Sequence, residues 1–127
     1  MSEVTSSSKT CWDLMFEILQ KQGWDKECAK RNLEERTLLD EGVFYKAKNN
    51  RSTMPSMRTI LAFACGLDLD IDTTRELLRL AGHAFSDSPE HKVLKYCVTA
   101  FKGTPIEIRN EFLTSYGFAP LGTAQRK

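Results

Sequence analysis

The chain is punctuated for helices from end to end. Ser88-Pro89-Glu90 supplies a cap, a proline at the first helical position and an early acid; Val93, Leu94, Cys97, Val98 and Phe101 follow at helical spacing before Gly103. Thr104-Pro105-Ile106-Glu107 repeats that grammar ahead of Ile108, Phe112, Leu113 and Tyr116, with Gly117 behind them. A capping oxygen satisfies amide donors that the first turn leaves without partners, and a glycine past the last turn accepts the left-handed backbone that ends a helix. No alternating apolar pattern with turn signals supports a sheet. One stretch alternates, Leu67-Asp68-Leu69-Asp70-Ile71, and its five residues read as an extended link between helices.

The same signs recur upstream. Residues 1–9 are polar and aperiodic, as expected of a flexible tail. Thr10 caps a first helix carrying Leu14, Met15, Ile18 and Leu19 to Gly23. Asp25 caps a second, with Ala29, Leu33 and Thr37 on one face and a stop near Leu38. Asp40 caps a short third with Val43, Phe44 and Ala47 inward, and Asn49-Asn50 turns the chain after it. Pro55 and Ser56 open a fourth whose apolar set Met57, Ile60, Leu61 and Ala64 finishes at Gly66. Thr73 with Glu76 three residues later forms a capping box for a fifth, which carries Leu77, Leu78 and Ala81 to Gly82. Seven helices are expected, and the class is all-α. At 127 residues and 41% hydrophobic, the chain has enough apolar content for one core.

Charge is distributed unevenly. The net charge is only +1, yet no acidic residue occurs between Glu41 and Asp68, a window that holds Lys46, Lys48, Arg51 and Arg58. Residues 68–90 hold Asp68, Asp70, Asp72, Glu76, Asp87 and Glu90 against Arg75 and Arg79, so one face is expected to be basic and another acidic. A cationic window over a short helix, a polar loop and a helix start suits backbone phosphates and points to nucleic acid.

Other chemistries find little support. Cys11, Cys28, Cys65 and Cys97 are separated by 17, 37 and 32 positions, without a Cys-x-x-Cys pair, and read as small apolar fillers rather than zinc ligands. No apolar leader follows Met1 and no stretch approaches a membrane span, so a cytoplasmic protein is expected. His83 and His91 read as surface residues, and no nucleophile-base set or phosphate-cradling glycine loop is present. No enzyme, cofactor, metal or small-molecule substrate is expected. Trp12 and Trp24 read as plugs at the core edge.

In order and punctuation, residues 10–82 resemble the phage-repressor-like helix-turn-helix domain, the XRE or Cro/cI-type group. Leu33-Glu34-Glu35-Arg36-Thr37-Leu38-Leu39-Asp40 falls at the end of the second helix, the turn and the next cap; Asn50-Arg51 falls where the family usually has Gly-Lys; Pro55-Ser56-Met57-Arg58-Thr59 is similar to its fourth-helix opening. The turn position that is often glycine is Leu38 here, and the small residue expected after Leu33 is Glu34. The resemblance implies a lambda-repressor-like DNA-binding domain of five short helices over 10–82, with residues 83–127 as a two-helix extension that either packs on the core or forms a dimer interface. It implies that Glu41 to Lys48 is a recognition helix with Glu41, Gly42, Tyr45 and Lys46 at base edges. Lys48, Asn49, Arg51, Ser52 and Arg58 then meet phosphates. The implied protein is a small transcriptional regulator of bacterial or phage type, a repressor acting on double-stranded DNA as a homodimer. Glu34, Asp40 and Glu41 near the same face favour an alternative, a protein-interaction module on this scaffold such as an antitoxin, an adaptor or a phage-encoded inhibitor.

Overall fold

A computed structural model of the chain describes residues 10–23, 35–39 and 54–122, and they are all-helical. Its bounded helices are α1 (Cys11–Lys21), α2 (Met57–Leu67), α3 (Ile71–Leu80), α4 (Pro89–Thr99) and α5 (Ile106–Ser115), and residues 35–37 form a further helical turn. The expected second-helix start at Asp25 and the short helix after Asp40 lie outside the described residues.

Local signals place these helices. The Thr10 hydroxyl accepts from the Asp13 amide while the Asp13 carboxylate accepts from the Thr10 amide, a reciprocal cap on α1. Ser56 and Ser88 cap α2 and α4 by accepting from the Thr59 and His91 amides, without a return bond, and Pro89 occupies the first turn of α4. The expected capping box at Thr73 gives way to an earlier start. Asp70 caps α3 by accepting from the Thr73 amide, which also holds its carboxyl below the ordinary aspartate range. The expected extended link thereby shrinks to Asp68, Leu69 and Asp70. Thr104 does not cap α5; the helix begins behind Pro105 with no side-chain cap.

α2 is the hub. It packs against α3, α4 and α5, while α1 leans on α3 and α4 pairs with α5. From Ile60 to Leu67 every residue of α2 is buried, which is a helix surrounded on all sides rather than one with a single apolar stripe. Met15 and Leu19 of α1, Leu77 and Leu78 of α3, Leu94 and Val98 of α4, and Ile106 and Leu113 of α5 close around it, with Trp12 buried beside them. Helices α4 and α5 thus contribute to the core. Cys11, Cys65 and Cys97 are buried free thiols, and burial pushes Cys11 and Cys97 up to about 12, so they behave as apolar fillers.

One polar group sits inside this core. Arg109 of α5 is fully buried and spends its donors on four partners. Nε donates to the Thr104 carbonyl at 3.0 Å and Nη1 to the Cys97 carbonyl at 3.3 Å. Nη2 donates to the Phe101 carbonyl at 2.6 Å and to Asp68 Oδ1 at 2.8 Å. Asp68 caps α2 from the left-handed region at φ 57°, and its carboxylate also accepts from the Gly103 amide at 3.0 Å. One ion pair therefore ties the end of α2 to the turn between α4 and α5. The desolvation of the Arg109 guanidinium is offset by its hydrogen bonds, while the Asp68 side chain stays partly exposed.

Burial pulls the Asp68 carboxyl upward, but the Gly103 amide, the Arg109 guanidinium and Lys102 outweigh it and hold the pKa below the ordinary 3.8. A depressed folded pKa means that this stabilisation is present above the unfolded value and lost as pH falls through the folded one. Arg109→Met should lower unfolding free energy by about 1–3 kcal/mol in urea melts, because it leaves the Thr104, Cys97 and Phe101 carbonyls without this donor, while the partly exposed Asp68 carboxylate keeps the Gly103 amide. Asp68→Asn should be milder and should flatten the acid limb of stability below about pH 4; an unchanged acid limb would remove Asp68 from the account.

Candidate nucleic-acid interface

Next to the nominated surface, the described residues hold the turn at residues 37–39 and the opening of α2, which carries Arg58. Thr37 ends the helical turn fully buried, and its hydroxyl accepts from the Leu39 amide at 3.2 Å. Leu39 is buried as well. Between them Leu38 stands at φ 60°, in the left-handed region that disfavours a side chain. Two buried neighbours hold this backbone in place.

Two glycines receive the turn from opposite parts of the chain. Gly66 does not end α2 as the sequence suggests; it lies inside the helix, where a methyl would collide with the Arg36 carbonyl oxygen and Thr37 Cγ2. Gly122, at φ 92°, lies so close that a methyl would meet Leu38 Cβ and the Leu38 carbonyl. Asn110 fixes the segment carrying Gly122, donating to the Leu121 carbonyl at 3.1 Å and accepting from the Leu121 amide at 2.7 Å. The turn is thus seated between the hub helix and the end of the extension.

Of the phosphate-binding nominations the described residues include Arg58, and its guanidinium is engaged within the fold. It pairs with Glu90 at 2.9 Å and donates to the Ala119 and Pro120 carbonyls. The remaining nominations, Glu41, Gly42, Tyr45, Lys46, Lys48, Asn49, Arg51 and Ser52, lie outside the described residues, as do Trp24 and Cys28.

Several acids of residues 68–90 also serve the fold. Asp68 is held by Arg109 and Gly103, Asp70 caps α3, Glu76 binds Arg79 with one bond at 3.0 Å, and Glu90 holds Arg58. Four carboxylates are therefore spent on caps and pairs. The histidines are also bound into the fold: His83 Nε2 lies 3.1 Å from the Pro55 carbonyl, and His91 Nδ1 accepts from the Ser86 amide at 2.8 Å. Among the described residues no cluster of three or more His, Cys, Asp or Glu is placed to hold a metal ion, and no helix is long and apolar enough to cross a membrane.

Sequence reading missed three structural residues here. Arg109 and Asn110 look like ordinary polar positions of an amphipathic helix, and Gly66 looks like a helix stop. The signal available was that Arg109-Asn110 falls where α5 turns its Ile106 and Leu113 face inward. No family model, curated protein or solved structure matches the chain.

In a free helix interior, alanine is preferred over glycine by about 1 kcal/mol. Gly66→Ala should reverse that sign and destabilise by about 1–3 kcal/mol, since the hub helix must move off the turn. Urea melts of the variant check this; a stabilised Gly66→Ala chain would show that the approach is not tight.

Proposed function

We propose that the protein is a sequence-specific double-stranded DNA-binding regulator of the helix-turn-helix type, acting as a homodimer. The observation that carries this reading is the backbone of Leu38. The position that the resemblance gives to a turn glycine takes a left-handed φ of 60°, directly after a helical turn and ahead of the cationic window. A leucine is held there despite the strain, as expected where the angle between two helices must be set. The Ser56 cap on α2 agrees with the same helix order.

In this proposal Glu41, Gly42, Tyr45 and Lys46 read bases, and Lys48, Asn49, Arg51 and Ser52 hold phosphates. Arg58, already engaged with Glu90, orders the start of α2 and contributes less to phosphate binding. Two-fold pairing supplies the second half-site that a single short helix lacks. Tyr96 and Tyr116, 54% and 59% exposed, flank Phe112 on the α4–α5 face and favour that face as the seam. The engagement of Arg58 also favours the second reading, an interaction module without DNA binding.

A salt titration separates the two. Duplex affinity should fall steeply with salt, with a logarithmic slope of about −0.9 per phosphate contacted. Arg51→Ala should make that slope shallower by about one. Arg58→Ala should lower the melting temperature and leave the slope nearly unchanged. No duplex binding at low salt would favour the interaction module.

A further inference from the structure

α3 and α4 diverge around the loop 83–88 and leave between them a cleft of 530 Å³. Its cations come from both walls: Arg75 and Arg79 lie one turn apart on α3, and Lys92 and Lys95 one turn apart on α4. Asp87 is the one carboxylate in the lining. Arg79 is occupied by Glu76, whereas Arg75, Lys92 and Lys95 enter no ion pair among the described residues. Converging cations in a concave site repel one another, and an anion placed between them relieves that repulsion.

The other lining residues narrow the anion. Leu78, buried, and Phe85, half-buried, give one side of the cleft an apolar floor. His91 Nδ1 accepts from the Ser86 amide, so Nε2 is the ring nitrogen left to donate. His83 donates from Nε2 to the Pro55 carbonyl, which calls for the same Nε2–H tautomer and secures the loop to the start of α2. The volume falls within the range of about 300–1,000 Å³ typical of small-ligand sites. It is a recess between helices rather than the open stripe that a duplex backbone requires.

We propose that this cleft binds a small organic phosphate of mononucleotide size, with its phosphoryl oxygens between Arg75, Lys92 and Lys95 and a flat apolar part over Phe85 and Leu78. The lining shares no residue with the nominated DNA contacts, and its occupancy does not depend on the protein binding DNA.

Calorimetry on the full chain at low salt tests it with adenosine monophosphate, phenyl phosphate, adenosine and inorganic phosphate. Both organic phosphates should bind more tightly than inorganic phosphate, and adenosine at least about tenfold more weakly than its monophosphate. The double variant Arg75→Gln, Lys92→Gln should weaken both organic phosphates by at least about tenfold, with Lys21→Gln as an unaffected control. In the wild-type chain, adenosine monophosphate should shift the amide resonances of Ser86 and His91. The proposal is overturned if neither organic phosphate binds more tightly than inorganic phosphate. It is equally overturned if the folded double variant keeps wild-type affinity, or if the shifted resonances lie away from the loop 83–88 and α4. A duplex that alone responds to the double variant would assign these cations to a polyanion surface and contradict the proposal.

Discussion

The Arg109–Asp68 pair is the interaction on which the arrangement of the described helices depends. A guanidinium placed in the core must find an acceptor for every donor, and the acceptors that it finds belong to three separate places. The Asp68 carboxylate terminates α2, the Cys97 and Phe101 carbonyls belong to the end of α4 and the turn behind it, and the Thr104 carbonyl precedes α5. Satisfying one side chain therefore sets where the hub helix stops and where the α4–α5 hairpin bends. Interdigitated packing resists sliding of α4 and α5 against α2, and the Arg109 hydrogen bonds add contacts of fixed direction to a burial term that has none.

With α4 and α5 fixed, the segment after α5 is carried back across the molecule. Asn110, next to Arg109, holds Leu121, and Gly122 arrives against the Leu38 turn. Gly66 of the hub helix meets the same turn from the other direction. Two absent side chains thus make the space into which a strained leucine turn fits. Arg58 and Glu90 add a tie between the start of α2 and the start of α4. Ile106, Leu113 and Leu121 lie in the core, and the segment behind them closes over the Leu38 turn.

What the sequence reveals follows the range of the interaction. The caps at Thr10, Ser56 and Ser88 and the left-handed glycines Gly23, Gly82 and Gly117 are legible because each is decided within a few residues. Gly66 is misread because a glycine behind an apolar run resembles a stop, and a close backbone approach leaves no local mark. The acids of 68–90 are legible as charges, while the caps and ion pairs that four of them make are not. Arg109 is invisible since its carboxylate partner lies 41 positions away. Of the nominated site, the described residues hold the turn and Arg58. The sequence marked Leu38 as the turn through a resemblance, and it marked Arg58 only as a cation, without its partners.

The cationic window gives the protein a purpose only if its turn presents a helix to a duplex in one defined orientation. Selection of bound fragments from a random pool of duplex DNA measures this directly. Enrichment of a two-fold symmetric sequence, with half-sites about one helical turn apart, is the predicted result. Recovery of fragments without any shared sequence, or no recovery at low salt, would contradict it.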